Sequence, residues 1–341
     1  MTSAAKSGAV DRSIHATWLA MSCVGLAAIP WIIWTNRARD TIVGFDGYAT
    51  WAMNANDLYG IPYMDLGAFR YTPAYAQAFS WAGQLPWEIF AAAWIGASAV
   101  ILVLWGRWWA LALVGFPPVA LELYHGNIHL LMAAATVVGF RYPAAWAFPI
   151  LAKVTPGIAL LWFVGRREWQ NLAVAAGATG LIVAVSAVAA PDLWRAWVTA
   201  MSASLTFVPP RPYPIDIPFA IRALVAGALS LWGGHTNRRW TVPVAAAIGS
   251  PIVWVHTLSM LVGIVPLLAL DVRSRPSFGN ARGAVRPGAP RTWSRCSSRA
   301  GWLSGTGRIF ATYAGSRLLD VATGQPAKRE RVRWRRWFSS P

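Results

Sequence analysis

The sequence predicts an all-α fold, a polytopic membrane helix bundle of about ten crossings. Of its 341 residues, 56% are hydrophobic and only 13% are charged, and the mean hydropathy is +0.42. Soluble domains carry roughly 25% charged residues, so about half the usual charge is missing. The apolar residues also fall in runs near the ~20 residues that a helix needs to cross a hydrocarbon core. We therefore expect one transmembrane bundle over residues 17–270, surrounded by membrane lipids.

The N-terminal segment predicts an uncleaved first span. Residues 1–16 are polar and basic, and an apolar run from Thr17 to Thr35 follows. That run is long for a signal sequence, and the basic residues at 36–39 do not form a small-residue cleavage site. We expect residues 1–16 to be cytoplasmic.

A polar and aromatic segment, residues 36–86, separates the first span from the later ones. A connection of about 50 residues exceeds the ~15 residues of most structureless loops, and its many aromatic side chains argue against disorder. We expect a folded first extracytoplasmic loop with short helices near Tyr48–Leu58 and Ala74–Gln84.

The remaining spans lie close together. The run Tyr142–Val164 is interrupted by Lys153 and Pro156, which predicts two half-helices that meet at a break facing protein or a water-filled cavity. With both halves counted, the total is about ten crossings, and most short basic loops fall on the cytoplasmic side, as in a multi-pass protein of a bacterial cytoplasmic membrane. The other predicted spans are Trp87–Trp105, Trp108–Tyr124, Ile128–Phe140, Leu172–Ala190, Pro218–Gly233, Thr241–Trp254 and Thr257–Leu270.

The positive charge belongs to the C-terminal segment. Residues 271–341 hold 15 Lys and Arg against 3 Asp and Glu, which accounts for +12 of the net charge of +17. One interpretation is a disordered cytoplasmic tail that contacts anionic lipid. The other is a high-GC gene read out of frame, which gives the same irregular composition. Neither interpretation predicts a nucleic-acid partner.

Asp46 is the first candidate for chemistry, in the run Gly44–Tyr48 just after the first span. A carboxylate there could serve as a general base for a hydroxyl near the bilayer surface. The competing interpretation is a helix cap, because Asp is common in front of a helix.

Several basic or polar residues are candidates for binding an anion. Lys153 lies in an apolar break and must face a cavity or a partner, either a lipid-linked phosphate or Glu122, which is itself unusual in an apolar run. Each of the others has an ordinary structural alternative: an interface charge, a turn, or a hydrogen bond inside the bundle. They are Arg70, His125, Asn127 and His256.

The sequence contains no strong signal for a metal or another cofactor, and we expect none. The two cysteines, Cys23 and Cys296, are too few for a disulfide framework or a Cys-based metal site. His125 and His129 lie four residues apart but lack a third ligand. Motifs for nucleotide phosphates and for a serine nucleophile are also missing from the chain.

The order of these motifs resembles the C-type membrane glycosyltransferases, most closely glycosyltransferase family 87 and its actinobacterial polyprenol-phosphate-mannose-dependent α-mannosyltransferases. The resemblance covers about residues 15–270. The matching pieces are Gly44–Tyr48, Asp57–Gly60, Phe69–Pro73, Gly126–Asn127 with Leu130–Leu131, Ala152–Pro156 and Arg166–Trp169.

The resemblance implies transfer of a sugar, usually mannose, from a polyprenyl-phosphate donor to a glycolipid or glycan acceptor outside the membrane. It places the catalytic base at Asp46 and an inverting single displacement on the donor. Lys153, Arg70 and His256 become candidates for the phosphate side. A metal is not expected, because a phosphomonoester leaving group carries less charge than a nucleotide diphosphate.

Two other interpretations stay open. Broken helices around charges are also typical of transporters or flippases for lipid-linked sugars, although the long acidic outer loop favours chemistry at one face. The second is a truncated, inactive copy, because members of the family usually continue with further apolar spans where this chain becomes basic.

Overall fold

The computed structural model describes residues 16–24, 26–27, 30, 42–54, 56–204 and 217–273. All of them belong to Met1–Phe278, the first of two units into which the chain divides. Every regular element in these ranges is a helix, which confirms the all-α prediction. The predicted cytoplasmic N-terminus at 1–15 and the predicted basic tail beyond 273 lie outside the described residues.

The first part of the chain forms short helices, as predicted for a folded loop. Residues 16–24 are helical (α1), whereas most of the predicted first span lies outside the described residues. In the loop, α2 is Phe45–Trp51, α3 is Pro73–Ala78, and a 3₁₀ helix covers Ala82–Gln84. Helix α2 begins three residues earlier than predicted, because Gly44 takes a left-handed conformation (φ 82°) in front of it.

Two long apolar helices agree closely with their predictions: α4 is Trp87–Gly106 and α10 is Trp169–Ala189. Of the described helices, these two are long and apolar enough to cross a membrane. Only 33% of the most apolar window of α4 and 17% of that of α10 is buried in the protein. Such exposed apolar surface fits a lipid environment, but the ten predicted crossings are not confirmed.

The prediction of a single helix over Trp108–Tyr124 is wrong. Pro117 and Pro118 cannot donate backbone hydrogen bonds in the middle of a helix, so the chain divides there. The observed elements are a 3₁₀ helix at Arg107–Trp109, α5 at Ala110–Val114 and α6 at Pro117–His125, followed by α7 at His129–Gly139.

The predicted break at Lys153 is confirmed. Helix α8, Ala147–Ala152, ends at Lys153, whose backbone is extended (φ −142°, ψ 110°). Pro156 follows and cannot donate to a preceding carbonyl, so the chain resumes as a 3₁₀ helix at Thr155–Leu160 and then as α9, Leu161–Arg166. A further 3₁₀ helix, Pro143–Trp146, precedes α8.

The last described elements agree only in part with the spans predicted for them. Helix α11 is Pro191–Ser204 and α12 is Phe219–His235. Helix α13, Thr241–Ile248, ends before Pro251, and a 3₁₀ helix at Val255–Gly263 leads into α14, Ile264–Arg273. The prediction Thr241–Trp254 therefore misses an irregular connection at 249–254, whereas the prediction Thr257–Leu270 lies within the observed helical stretch.

Helices α9 and α12 pack at backbone distance. A Cβ atom added at Gly165 would overlap the carbonyl oxygen of Leu231, and one added at Gly234 would overlap that of Trp162. Small residues permit such an approach between apolar helices. This contact fixes the half-helix that follows the break against the later part of the chain.

Candidate functional site

Asp46 lies in the first turn of α2, and its side chain contacts the turn between α6 and α7. The Gly44 N–H donates to the carbonyl of Tyr124 at 2.8 Å, which fixes the start of α2 on α6. The Asp46 Oδ2 atom accepts a hydrogen bond of 2.6 Å from the Asn127 amide. Because Gly44 occupies the cap position of α2, the alternative that Asp46 caps the helix is wrong.

The turn between α6 and α7 presents Asn127. Gly126 adopts a left-handed conformation (φ 58°) that ends α6, and its carbonyl accepts a 2.8 Å hydrogen bond from the Trp94 indole. The Asn127 Oδ1 atom accepts from the Ile128 N–H at 2.7 Å, so the amide nitrogen is the atom directed at Asp46. Trp94 and Asp46 therefore both hold this turn in place, through Gly126 and Asn127 respectively.

His256 comes from the far end of the described chain. Its Nε2 atom lies 3.9 Å from the Asp46 carboxylate, too long for a hydrogen bond but within reach of an ion pair when the imidazole is protonated. Its ring stacks on that of Trp254 and lies 5.6 Å and 5.4 Å from the rings of His125 and His129. The predicted residues Asn127 and His256 therefore approach Asp46, and the predicted His125 lies beside His256.

Lys153 reaches the same cluster through a histidine. Its Nζ atom lies 2.7 Å from Nε2 of His129, and Nδ1 of His129 lies 3.0 Å from the Glu122 carboxylate. The predicted alternative of a Lys153–Glu122 pair thus takes a different form, because the imidazole of His129 lies between the two charges. Glu122 and His129 are fully buried, whereas Lys153 is partly exposed.

Arg70 is placed differently from the other candidates. Two of its nitrogens donate to the carbonyls of Phe69 at 2.6 Å and Ile61 at 2.8 Å, and its guanidinium lies over the ring of Tyr63. Burial lowers the pKa of Arg70, but a guanidinium remains charged in proteins. These contacts stabilise the first loop, and none of them is to Asp46 or Lys153.

The motif containing Arg70 contributes two further contacts. The Thr72 hydroxyl donates to the carbonyl of Leu151 in α8 at 2.7 Å, which fixes the loop beside the break. Burial, together with the nearby charges of Tyr75, Asp46 and Glu122, raises the pKa of the Tyr71 phenol. Tyr71 is therefore a neutral hydroxyl close to both carboxylates.

Sequence reasoning missed Arg222, which lies in α12. This buried guanidinium donates to the carbonyls of Ile217, Ile248, Ser250 and Pro251. Two of these carbonyls, those of Ser250 and Pro251, belong to the irregular connection at 249–254 that leads to His256, and that of Ile248 ends α13 just before it. A lone arginine in an apolar run is the same kind of signal that identified Lys153.

The cluster combines a carboxylate that can accept a proton with basic groups that can stabilise developing negative charge. Asp46 and His256 are partly exposed, with side-chain exposures of 27% and 13%, so a substrate can contact them. Among the described residues, no three His, Cys, Asp or Glu side chains are grouped as potential metal ligands. This arrangement suits acid–base transfer chemistry on an anionic substrate.

A comparison with family models places the chain in a class of transferases. The model described as glycosyltransferase family 87 matches residues 69–282. Because the match covers more than half of the chain, the protein belongs to this family, as its motifs had indicated. Family membership indicates glycosyltransferase activity, with a sugar donor and an acceptor as substrates. No curated protein and no solved structure matches the chain.

The matched region includes Arg70, Asn127, Lys153 and His256 but begins after Asp46. The carboxylate is joined to that region by its hydrogen bond to Asn127 and by its approach to His256. The family match therefore does not include Asp46, and its association with the matched region is shown by these two contacts.

Proposed function

We propose that the protein transfers a sugar, most simply mannose, from a polyprenyl-phosphate donor to a glycolipid or glycan acceptor with inversion. The single observation that carries this proposal is the position of Asp46. Its carboxylate is oriented by Asn127 at 2.6 Å and faces the imidazole of His256 at 3.9 Å. A fixed, partly exposed carboxylate beside basic groups is what a single-displacement transferase requires.

In the proposed reaction, Asp46 accepts the proton of the acceptor hydroxyl as its oxygen attacks the anomeric carbon. The bond between that oxygen and carbon forms while the bond from the anomeric carbon to the phosphate oxygen breaks. The electron pair leaves with the polyprenyl phosphate, which departs as a phosphomonoester. The proton remains on the Asp46 carboxyl until solvent removes it.

The basic residues of the cluster stabilise the departing phosphate in this proposal. The ammonium of Lys153 is a compact positive charge suited to a phosphate oxygen, and His256, His125 and the Asn127 amide are further donors on the same side. Arg70 has the weakest support of the five, since its contacts are to loop carbonyls. The scheme needs no metal, because the leaving group carries the charge of a monoester.

The proposal places the reaction at the outer surface of a bacterial cytoplasmic membrane, in a multi-pass chain of about ten crossings. The exposed apolar surfaces of α4 and α10 support this setting, with Leu104 69% and Val188 85% exposed. A soluble fold would cover such surfaces. A lipid-linked donor would then reach the cluster from the bilayer.

The decisive experiment compares sugar transfer by wild-type, Asp46→Asn and Asp192→Asn protein. Membranes containing the full chain are incubated with radiolabelled polyprenyl-phosphate-mannose and a mycobacterial-type lipid extract. Asparagine keeps the shape of Asp46 and can still accept from Asn127, but it cannot take a proton. We expect at least a 100-fold loss of transfer, the lower range for general-base catalysis.

Asp192 is the matched control, because its exposed carboxylate pairs with Arg195 on the surface of α11. Asp192→Asn should transfer as well as wild type. Linkage-specific mannosidases report inversion, and donors with glucose or arabinose test the sugar. Sugar transfer that is retained in Asp46→Asn would contradict the proposal that Asp46 is the general base. Label that crosses the membrane while still attached to the polyprenyl phosphate would favour a flippase, for which the break at Lys153 is also suited.

A further inference from the structure

The buried chain of contacts behind Lys153 has no chemical role in the reaction proposed above. It runs from the Glu122 carboxylate to Nδ1 of His129 at 3.0 Å, and from Nε2 of His129 to Nζ of Lys153 at 2.7 Å. The second oxygen of Glu122 accepts from the Leu130 N–H at 3.1 Å. Glu122 and His129 are fully buried and so cannot contact a substrate themselves.

The protons of this chain follow from its donors and acceptors. When Glu122 is ionised it only accepts, so Nδ1 of His129 then carries the hydrogen that Glu122 receives. The Nε2 atom of the neutral imidazole then holds a lone pair, and the Lys153 ammonium donates to it. A carboxylate that selects the tautomer of a histidine in this way also fixes the orientation of its ring.

Lys153 needs this contact because neither its backbone nor its side chain fixes the position of its ammonium group. It is the extended residue at the break, and its four-carbon side chain is flexible. The contact with His129 uses one of the three ammonium hydrogens and leaves two. The fixed imidazole therefore directs those two N–H groups away from the buried side of the cluster.

We propose that Glu122 and His129 are positioning residues that hold the Lys153 ammonium towards the phosphate of the sugar donor. This inference rests on the proposed function. Glu122 and His129 then affect donor binding through Lys153, and they do not affect acceptor binding.

The first test is a double-mutant cycle on full-length protein in lipid nanodiscs, with polyprenyl-phosphate-mannose as the donor. Glu122→Gln removes the charge and leaves one acceptor oxygen for the two N–H groups of His129 and Leu130. It should raise the donor KM about 10- to 100-fold, the cost of losing a hydrogen bond to a charged group, and leave the acceptor KM unchanged. In a Lys153→Ala background, Glu122→Gln should raise the donor KM by less than about twofold more, because the ammonium that Glu122 helps to position is already absent.

Glu168→Gln is the matched control, since Glu168 contacts Arg166 and Asn171 at the surface. It should leave both KM values at the wild-type level. Full additivity of Glu122→Gln and Lys153→Ala, or equal increases in both KM values, would overturn the inference. If Glu122→Gln does not fold, His129→Asn breaks the same chain of contacts and replaces it in the cycle.

The second test does not depend on sugar transfer. The sequence has three lysines, Lys6, Lys153 and Lys328, so acylation by an N-hydroxysuccinimide ester at pH 8 can be followed at each by mass spectrometry. Glu122→Gln should change the acylation rate of Lys153 at least threefold, with the other two lysines as internal references. An unchanged rate would overturn the positioning role.

The two tests separate the two proposals. A wild-type protein that transfers no sugar, but whose Lys153 reactivity responds to Glu122→Gln, removes the proposed function and keeps the positioning of Lys153. A protein that transfers sugar but gives an additive cycle keeps the function and removes the inference.

Discussion

Replacing Arg222 by methionine removes a buried guanidinium but keeps a long apolar side chain in its place. Arg222 is only 7% exposed. Its nitrogens donate to the carbonyls of Ile217 at 2.8 Å, Ile248 at 2.9 Å and Pro251 at 2.6 Å, and also to that of Ser250. In Arg222→Met these carbonyls lose their charged donor, and methionine has no N–H or O–H group to replace it.

The size of the effect follows from these contacts. A hydrogen bond from a charged group contributes about 1.5–3 kcal/mol. If only two of the four carbonyls stay without a partner, the free energy of unfolding falls by about 3 kcal/mol. For a domain of roughly this size, that corresponds to a decrease of about 6–12 °C in the apparent Tm.

The measurement is thermal unfolding of the purified full chain in one detergent, with Arg195→Met as the matched control. Arg195 pairs with Asp192 at 2.6 Å, but the two side chains are 78% and 87% exposed. Exposed ion pairs contribute about 0–1 kcal/mol, so Arg195→Met should unfold close to wild type. Equal Tm values for the two variants would refute the claim that Arg222 holds the end of α13 and the connection at 249–254.

Three further predictions concern backbone contacts around the site and are tested by the same unfolding measurement. Gly234→Ala should destabilise strongly or prevent folding, because its Cβ would overlap a carbonyl oxygen of α9, whereas Gly177→Ala meets nothing within 4 Å and should be neutral or stabilising by up to about 1 kcal/mol. Gly126→Ala should cost about 1–2 kcal/mol, since its φ of 58° is left-handed, and should reduce sugar transfer because the next residue contacts Asp46, the proposed base. Thr72→Val should cost about 1 kcal/mol by losing its 2.7 Å hydrogen bond to the Leu151 carbonyl, while Thr199→Val, on exposed α11, should cost less than half as much.

The sequence alone predicts the elements whose cause is local. The long helices α4 and α10 follow from uninterrupted apolar runs, and the break at Lys153 follows from a charge and a proline in such a run. The same reasoning, applied to Pro117 and Pro118, would have predicted the division between α5 and α6. The short helices near the end of the described chain depend on packing, which a hydropathy pattern does not contain.

The candidate site shows the same limit. Asp46, Asn127, Lys153 and His256 stand out in the sequence as polar residues in apolar or ordered surroundings. The bridge formed by His129 does not, because only the fold decides which buried group a lysine contacts. Arg70 looks like a phosphate ligand in the sequence, but the carbonyls of Phe69 and Ile61 happen to lie beside it. Nearby backbone acceptors are invisible to a motif.

The hydrogen bond between Asp46 and Asn127 joins residues 81 positions apart, and His256 arrives from much further along the chain. The cluster therefore cannot form on a nascent chain that has only its first helices in place. Asp46 stays an isolated carboxylate until α6 and α7 are added, and its basic partner comes only with the segment after α13. During biosynthesis, the complete cluster is therefore assembled in stages and only after the segment that follows α13 has been made.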